Sequence, residues 1–378
     1  MILVYCIDSI HGIGGIQRVT LTKANALADF ENNSVWIIYA DHSGQLQFPL
    51  SSRVHTVDLG INYYEDDWKS RWNVLKGILI KRRIHRKRLE EKLREIRPDI
   101  VISVGQSEKN FLPRIRGAWA TIREFHFTRN YRLLNAKGLF ERILARIGNT
   151  VDCFTLRRFD RIITLTQEDR EDNWRGNTKV SVIPNPTTIH PERIAALDNK
   201  RVVAAGRLTQ QKNFMSLIRA FSPITKRFPD WTLVVFGDGP EREALREEIH
   251  KTGLDKYVHL NGNTDNLEKE MLSSSIFALS SRFEGLPAVV LEALSCGIPV
   301  VAFACPCGPK DILQDGDNGF LVPPDDEDCF AERLGRLMED DVLRKRMGAA
   351  ALNRANDYSV ERIVSLWMTL FKEILKTT

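Results

Sequence analysis

The sequence predicts two α/β domains, each built on a doubly wound parallel sheet. The first observation is length, because 378 residues exceed the usual size of one domain and give each half enough chain for a core. The second is the alternation of short apolar runs with helical segments in both halves, the pattern that parallel sheets produce. The third is a proline-rich stretch at 182–186, which marks the predicted hinge.

The first half of the chain, residues 1–184, shows this alternation from its start. Its first apolar run is followed by the glycines Gly12, Gly14 and Gly15 and then by a helical segment through Leu27. Short apolar runs rich in β-branched residues are typical of buried parallel strands. The strands predicted in this half are residues 2–7, 35–39, 100–104, 118–122 and 161–166.

The second half, residues 185–358, repeats the pattern. Its predicted strands are residues 201–205, 232–236, 258–260, 276–280 and 299–303. Ligands of open parallel sheets bind beyond the carboxyl ends of the strands, so we expect a ligand site there, in a cleft between the domains. The last segment, residues 359–378, has apolar residues at helical spacing and predicts a terminal helix.

Composition limits the class of protein. The share of hydrophobic residues, 43%, is ordinary for a globular chain and argues against disorder. The six cysteines lack zinc-binding spacing and are interpreted as reduced thiols of a cytosolic protein. No uncharged apolar run reaches the ~18 residues of a spanning helix, and the amino terminus lacks the basic region of a signal peptide. We therefore expect a cytoplasmic protein.

Charge is distributed unevenly along the chain. The net charge of +5 combines +9 in residues 1–184 with −4 in residues 185–378. Such asymmetry indicates that the first half faces an anionic partner. An anionic membrane and a nucleic acid are the two candidates.

Two glutamates, Glu284 and Glu292, flank a predicted helix start. Pro287 suits the first helical position and Gly297 the carboxyl cap, so Glu284 is expected in the loop before the helix and Glu292 in its second turn. The free N–H groups and positive dipole end between them favour an anion. The segment therefore suits a nucleotide-sugar. The alternatives are a capping role for the pair and an exposed helix face for Glu292.

Two further segments suggest phosphate binding. Arg207 and Lys212 lie where a predicted strand turns into a helix, and a basic pair there can clamp a diphosphate. A solvated helix start is the alternative. Gly14 and Gly15 follow the first strand, where glycine lets the backbone approach a phosphate closely.

Together these segments resemble the motifs of the large bacterial group of retaining GT-B glycosyltransferases that carry the E-x7-E signature, the family 4-like group. The resemblance covers nearly the whole chain, and five short motifs stand in the family's order. They are Gly14-Gly15-Ile16-Gln17-Arg18, Ile183-Pro184-Asn185-Pro186, Gly206-Arg207-Leu208 with Lys212, Phe236-Gly237-Asp238-Gly239-Pro240, and Glu284 with Glu292. The resemblance implies two Rossmann-like domains facing a cleft, with the helix at 359–378 packed back on the first.

The resemblance also implies an activity and residue roles. It implies a retaining transferase in which Arg207 and Lys212 stabilise the leaving diphosphate, Glu284 binds hydroxyls of the donor sugar, and Glu292 binds those of the ribose. The other donor-binding residues it implies are Gly14, Gly15, Gly206, Asn261, Asn263, Gly285 and Leu286, with Asn261 and Asn263 beside the base. For residues 261–263 a plain turn is the alternative.

His126 has two interpretations. The family often has a histidine at the end of a first-domain strand, close to the reacting carbon, and residues 118–122 are a candidate for that strand. A lone histidine between two phenylalanines is also typical of a satisfied structural residue. Both interpretations stay open, with Arg129 as a weaker companion.

The loop at 304–312 departs from the resemblance. Ala304 stands where many relatives carry an acid, and Lys310-Asp311 where they carry a serine–glutamate pair, so the donor sugar is not assigned by analogy. No Asp-x-Asp metal signature follows a suitable strand, and the acidic run at 325–328 is typical of a solvated helix start. We expect no cofactor and no metal, with the nucleotide-sugar as substrate.

A basic segment, residues 81–97, carries nine lysines and arginines and predicts a helix. Its apolar positions are Ile84, Leu89, Leu93 and Ile96, and the aromatic residues upstream are Tyr63, Tyr64, Trp68 and Trp72. One interpretation is a domain helix with a charged outer face. The other is docking on an anionic membrane, where interfacial aromatic residues are common and a lipid-linked acceptor would lie. No motif that reads a DNA groove is present, so nucleic acid is not expected.

The sequence therefore predicts a retaining, metal-independent transferase. Its donor is expected to be a UDP-sugar, and its acceptor a glycan or lipid-linked precursor of a cell-surface polysaccharide or lipopolysaccharide. One alternative is a two-domain UDP-sugar epimerase, which shares this architecture and needs no acceptor. Another is a non-catalytic module that binds a membrane or nucleic acid through residues 81–97.

Overall fold

The computed structural model describes residues 1–12, 14–42, 44–63, 71–136 and 138–377, with the backbone alone for residues 71–76 and 377. The chain divides into two compact units. The first contains Met1–Leu165, Arg170–Pro186 and Val360–Thr378, and the second contains Thr166–Asp169 and Thr187–Ser359. Each unit is built on a parallel sheet with helices, which confirms the predicted pair of doubly wound α/β domains.

The first domain's sheet has seven parallel strands among the described residues, in the order β3-β2-β1-β4-β5-β6-β7. The strands are β1 (Ile2–Ile7), β2 (Ser34–Tyr39), β3 (Val54–Asp58), β4 (Ile100–Ser103), β5 (Ala120–Glu124), β6 (Arg161–Thr164) and β7 (Val180–Val182). Its helices are α1 (Gly15–Asp29), α2 (Arg71–Ile96), α3 (Tyr131–Asn135) and α4 (Leu139–Leu156), followed along the chain by α5 (Gln167–Asn173). The strand order reverses between β1 and β4, so loops at their carboxyl ends diverge there.

The second domain's sheet has six parallel strands among the described residues, in the order β10-β9-β8-β11-β12-β13. The strands are β8 (Arg201–Ala205), β9 (Thr232–Phe236), β10 (Val258–Gly262), β11 (Ile276–Leu279), β12 (Val300–Phe303) and β13 (Gly319–Val322). The helices are α6 (Phe214–Phe221), α7 (Arg242–Lys251), α8 (Leu267–Leu272), α9 (Ala288–Ser295), α10 (Pro309–Ile312), α11 (Glu327–Glu339) and α12 (Asp341–Ala355). Here the order reverses between β8 and β11.

Helix α13 (Val360–Thr377) ends the chain and belongs to the first domain. Its side chains Trp367 and Phe371 are fully buried, in one cluster with Leu3 and Tyr5 of β1. A helix with such a wide apolar stripe needs a partner surface, and the first sheet supplies it.

The predicted basic segment is the second half of α2, which ends just before Arg97 adopts a φ of +52°. Leu89 and Leu93 are fully buried against the domain, whereas Ile84 is exposed. Of the aromatic residues upstream, Tyr64 and Trp68 lie outside the described residues, as does the side chain of Trp72. In the part of the chain that the structure describes, no helix is both long enough and apolar enough to span a bilayer.

Candidate functional site

The turn between β8 and α6 meets the loop before α9. The Lys212 ammonium lies 2.6 Å from a carboxylate oxygen of Glu284, and the Gln211 side-chain amide donates to the Phe283 carbonyl at 3.0 Å. Strands β8 and β11 are neighbours in the sheet, so the segments that follow their carboxyl ends are brought together. The structure thus places two predicted residues, 72 positions apart in sequence, in direct contact.

The Lys212–Glu284 pair is largely withdrawn from water. The two side chains are 19% and 8% exposed, and charges so placed are stable only when they are paired. The third predicted residue of this group, Arg207, is exposed to solvent at the start of the same turn. The carboxyl edge of the sheet therefore carries a shielded ion pair, with the exposed Arg207 in the same turn as Lys212.

Glycines set the shape of this turn. Gly237 has a φ of +131°, and a Cβ atom there would collide with the Gly206 carbonyl oxygen, so only glycine fits. The Gly206 N–H donates to the Phe236 carbonyl at 2.9 Å and the Leu208 N–H to the Asp238 carbonyl at 3.0 Å. The predicted motif at 236–240 therefore supports the turn that carries Arg207.

Helix α9 begins one residue later than predicted, because Pro287 is its N-cap and Ala288 its first residue. Gly285 and Leu286, both predicted donor-binding residues, are buried in the loop just before it. Gly308 packs against this loop, since a Cβ atom on it would lie 2.5 Å from the Pro287 ring. The start of α9 is thus held in place by the loop at 304–312.

Glu292 lies in the second turn of α9, as predicted, but the face it occupies is not exposed. The residue is 3% exposed, and one carboxylate oxygen accepts a hydrogen bond from the Thr188 hydroxyl at 2.7 Å. The alternative of an exposed helix face is therefore wrong. Glu292 is a buried acceptor that already has a hydroxyl donor.

Asn261 lies inside β10, where the pairing with β9 is irregular, and not in a turn after the strand as predicted. Asn261 and Asn263 are both exposed. The Gly262 carbonyl between them accepts from the Gly237 N–H at 2.7 Å. The strand continues through Asn261 because the irregular pairing accommodates residues that otherwise favour turns.

Glu168 was not predicted as a site residue, but its carboxylate supports the loop at 304–312. One oxygen accepts from the Cys307 N–H at 3.0 Å, and the other pairs with Lys310. The Gln167 N–H donates to the Asp311 carboxylate at 2.6 Å. Glu168 and Cys307 are 139 positions apart, so no short sequence motif could have indicated their contact.

The structure agrees with the predictions for the cysteines and for the acidic run at 325–328. All six cysteines lie in the described part of the chain and none forms a disulfide bond, and burial raises the pKa of the Cys305 thiol well above its usual range. The acidic run at 325–328 starts α11, where the Asp326 carboxylate accepts from the Cys329 N–H at 2.9 Å. Among the described residues, no three His, Cys, Asp or Glu side chains gather closely enough to hold a metal ion.

In the first domain, Gly14 and Gly15 lie at the start of α1. Gly14 is the N-cap, Gly15 is the first helical residue, and both are exposed. The Gln17 side chain folds back over Gly14, and its amide oxygen would have to move to admit a Cβ atom there. The Arg18 guanidinium lies 5.7 Å from the centre of the Phe48 ring. The predicted position of the two glycines, after β1 and before a helix, is therefore confirmed.

A buried group of charges lies at the carboxyl end of β5. Lys23 of α1 donates to Glu124, and the His126 Nε2 atom lies 3.4 Å from the same carboxylate oxygen. The Lys23 ammonium also lies 5.2 Å from the centre of the Trp367 ring. Burial acts to raise the pKa of Glu124, but the charge of Lys23 and its hydrogen bond outweigh burial and hold that pKa below its usual value. Glu124 is therefore an ionised carboxylate inside the domain.

His126 lines a pocket that opens to solvent. Burial lowers the pKa of His126 to about 4, against the opposite effect of Glu124, so the imidazole is neutral near pH 7. Among the described residues its Nε2 atom has no hydrogen-bond partner. The pocket's other aromatic and basic walls include Phe125, Phe127, Tyr131, Lys109 and Arg129.

We expect the neutral His126 to make stability depend on pH. Its folded pKa of about 4 lies below the ~6.5 of an unfolded histidine, so the unfolded chain binds the proton first as the pH falls. As the pH falls from about 6.5 to about 4, the free energy of unfolding of the native chain should decrease relative to that of His126→Gln. The expected decrease is on the order of 3 kcal/mol. Urea denaturation of both proteins across this range measures it. A difference that stays constant with pH would contradict a buried neutral His126.

A second buried network lies beside this pocket and was not predicted. Arg123 donates to the Ser103 hydroxyl at 2.8 Å, and that hydroxyl donates to Glu108 at 2.7 Å. Burial, followed by the charge of Asp8, raises the pKa of Glu108 to about 7. The carboxyl ends of β1, β4 and β5 thus meet in a fixed, largely dry arrangement.

Two family models match the chain and divide it much as the fold does. The model described as Glycosyltransferase Family 4 matches residues 13–190. The model described as Glycosyl transferases group 1 matches residues 187–354. One match therefore falls on each domain.

Two glycosyltransferases are similar to this chain along nearly their whole length. An uncharacterized glycosyltransferase of Haemophilus influenzae is 28% identical over 367 residues, covering 96% of this chain and 98% of the relative. The amylovoran biosynthesis glycosyltransferase AmsD of Erwinia amylovora is 27% identical over 381 residues, covering 97% and 98%. Similarity along the whole chain excludes a match through a single shared domain.

A solved structure shares the fold. It is that of S. aureus TarM in complex with Fondaparinux, alpha-GlcNAc-glycerol and UDP. The TM-score is 0.77 at 15% sequence identity, with 98% of this chain and 99% of that chain covered. At this identity the likeness shows the fold alone.

Proposed function

Because the chain belongs to the family 4-like glycosyltransferases with the GT-B fold, we propose that it is a retaining enzyme that transfers a sugar from a UDP-sugar. The observation that carries the proposal is the contact between Lys212 and Glu284 at the carboxyl edge of the second sheet, with Arg207 exposed beside it. These groups have the charges that a sugar diphosphate requires. Cations suit the diphosphate, and a carboxylate suits the sugar hydroxyls.

Arg207 and Lys212 are the groups proposed to stabilise the leaving diphosphate. Negative charge develops on that diphosphate as the bond to the anomeric carbon breaks, and fixed cations stabilise it without reorganising. In the ion pair with Glu284, Lys212 is already positioned and charged. Arg207 is proposed to close on the diphosphate from the solvent side.

We assign the donor's hydroxyl groups to the two glutamates. Glu284, with Gly285 and Leu286, is proposed to bind the sugar at the start of α9. Glu292 is proposed to bind the ribose, and its hydrogen bond from the Thr188 hydroxyl shows the kind of donor it accepts. A ribose hydroxyl is chemically equivalent to that donor.

Asn261 and Asn263 are proposed to lie beside the base, and Gly206 beside the phosphates. Both asparagines are exposed next to the motif at 236–240, to which Gly262 is hydrogen-bonded. UDP is favoured because the related fold of S. aureus TarM was solved with UDP bound. In the first domain, Gly14 and Gly15 are also proposed to lie beside a phosphate group of the donor.

The proposed chemistry retains the configuration of the anomeric carbon. The acceptor oxygen forms its bond to that carbon on the face from which UDP departs. A donor phosphate oxygen takes the proton of the acceptor hydroxyl, and UDP leaves with the electron pair of the broken bond. No cofactor or metal enters this scheme, and the cationic side chains supply the charge that a metal would otherwise provide.

His126 is proposed to contact the acceptor or the transferred sugar. Its neutral imidazole lines the first domain's pocket, while its Nε2 atom is buried 3.4 Å from the Glu124 carboxylate. A neutral imidazole can accept or donate one hydrogen bond to a hydroxyl. Arg129, which lies 4.3 Å from the Trp174 ring centre, helps to form the pocket wall.

The acceptor is proposed to be a glycan or a lipid-linked precursor of a cell-surface polysaccharide, made on the cytoplasmic side of the membrane. The relative from Erwinia amylovora, whose name assigns it to amylovoran biosynthesis, supports a polysaccharide product. A lipid-linked acceptor also fits the positive charge of the first half of the chain. Nucleic acid is not proposed as a partner.

Hydrolysis of UDP-sugars tests this function without knowledge of the acceptor. Water can replace the acceptor hydroxyl as the nucleophile, so the purified protein with EDTA and one of a panel of UDP-sugars should release UDP and a free sugar. NMR taken before mutarotation should show the donor's anomeric configuration in the released sugar. An inverted sugar would contradict the retaining scheme, and a new UDP-sugar epimer would favour the epimerase.

A further inference from the structure

Helix α4 exposes a continuous apolar face. Seven of its large apolar side chains are between 46% and 78% exposed: Leu139, Phe140, Ile143, Leu144, Ile147, Val151 and Phe154. At 3.6 residues per turn these positions fall within a sector of about 140°. Soluble proteins seldom expose so large a contiguous apolar surface unless it binds something.

The opposite face of α4 is the one that holds the helix to the domain. The Asp152 carboxylate accepts from Lys109 at 3.2 Å and from Arg132 at 2.7 Å. Thr155 and Leu156 on this side are buried. Rotating the helix to bury its apolar face would break these ion pairs, so the apolar face needs a partner outside the domain.

The charges around the apolar face indicate the chemistry of that partner. Arg142 and Arg146 are exposed along one edge of the face, and Arg157 and Arg158 are exposed at its carboxyl end. An apolar stripe bordered by arginines is the pattern of helices that lie in the surface of anionic membranes. An antiparallel contact with a second copy of this chain would place arginines against arginines, which disfavours that symmetric protein contact.

We propose that α4 docks the first domain on an anionic lipid surface, with its apolar face in the interface and its arginines at the headgroups. The proposal is independent of the sugar-transfer reaction, since lipid binding requires no nucleotide. It assigns docking to α4 and not to α2, in which Leu89 and Leu93 are buried in the domain while Leu79, Ile80 and Ile84 are exposed. The face of α4 that carries Asn149 and Asp152 lines the pocket at His126, so docking would bring that pocket close to the lipid surface.

Vesicle flotation of the whole 378-residue chain tests the proposal. Vesicles of phosphatidylcholine with phosphatidylglycerol should bind the native chain, and vesicles of phosphatidylcholine alone should bind it much less. The variant Phe140→Ser/Phe154→Ser should lose at least about tenfold in binding, because each aromatic ring contributes much of its transfer free energy when it enters the interface. Arg142→Gln/Arg146→Gln should mainly weaken the preference for the anionic lipid.

Two controls separate α4 from other exposed apolar groups. Leu79→Ser/Ile80→Ser changes exposed residues of α2, and Val342→Ser changes an exposed residue of the second domain. Both should bind vesicles like the native chain. Because all these side chains are exposed, unfolding is not expected, and thermal melting of each variant verifies that.

Three results would overturn the proposal. The first is equal binding of the native chain and the Phe140/Phe154 variant. The second is loss of binding in the α2 variant while the α4 variant still binds. The third is a native chain that ignores vesicles but sediments as a dimer that the α4 variant dissociates, which would make the face a contact between copies. UDP binding is measured separately, so that a failure of the catalytic proposal can be distinguished from a failure of the lipid-docking proposal.

Discussion

Arg207→Ala is expected to lower the rate of sugar transfer by at least about a hundredfold, because one fixed donor to a developing charge typically contributes that much. Arg207 is exposed, so its removal should leave the fold intact. Steady-state turnover of the UDP-sugar, with or without an acceptor, measures the effect. Substrate binding should change less than turnover, since the charge on the diphosphate grows toward the transition state.

Lys212→Ala should show a comparable loss for the same electrostatic reason, together with reduced stability. Its removal leaves Glu284, only 8% exposed, without its ion-pair partner. The matched control is Arg246→Ala, which removes an exposed arginine that pairs with Glu243 at the surface, at 3.2 Å. That variant should keep native turnover. Near-normal turnover of Arg207→Ala would contradict the role assigned to it.

Lys23→Met is expected to destabilise the first domain by about 3–5 kcal/mol, the cost typical of leaving one member of a buried ion pair without the other. Lys23 and Glu124 have side chains that are 1% and 0% exposed. Without the ammonium group, Glu124 either stays charged in an apolar environment or takes up a proton. Urea denaturation followed by fluorescence measures the loss, and Trp367 beside Lys23 reports on the same domain.

Two companion variants isolate the cause of that loss. Lys23→Met/Glu124→Gln removes both charges and should recover much of the stability, because no uncompensated charge remains. Lys200→Met removes an ammonium from an exposed pair, 57% and 53% accessible, and should change stability little. A double variant no more stable than Lys23→Met would show that packing, and not charge, is what Lys23 contributes.

The sequence predicts the interior strands of both sheets but not all of their edges. Strands β3, β7 and β13 were not predicted, and all three lie at sheet edges. β3 has only Val54 fully buried and β7 has only three residues, so the apolar signal that marks an interior strand is weak in both. The β5 prediction, residues 118–122, was two residues early, since Ala118 and Trp119 precede the strand.

The sequence predicts which residues belong to the candidate site, but it does not predict which of them contact each other. The positions of Glu284 and Glu292 around a helix start follow from Pro287 and the spacing alone. The Lys212–Glu284 pair and the Thr188–Glu292 hydrogen bond join residues 72 and 104 positions apart, and no local pattern indicates them. The roles proposed for these residues stay predictions until they are measured.

Burial was the least predictable property. The environment of His126 depends on Lys23 of α1 and Glu124 of β5, which meet only in the folded domain. The apolar stripe of α4 has the periodicity of a core-facing helix, yet the structure turns it to solvent. Periodicity identifies which residues share a face, whereas tertiary packing decides what that face meets.

Calorimetric titration with UDP, GDP and ADP, in the presence of EDTA, tests the central claim most directly. We predict that UDP alone binds in the micromolar range, and that Glu292→Gln weakens this binding by losing a charged acceptor for the ribose. Micromolar binding under EDTA would also support donor binding without a metal. Absence of binding for all three nucleotides, or equal binding of UDP to the native chain and the Glu292 variant, would contradict the proposed donor site.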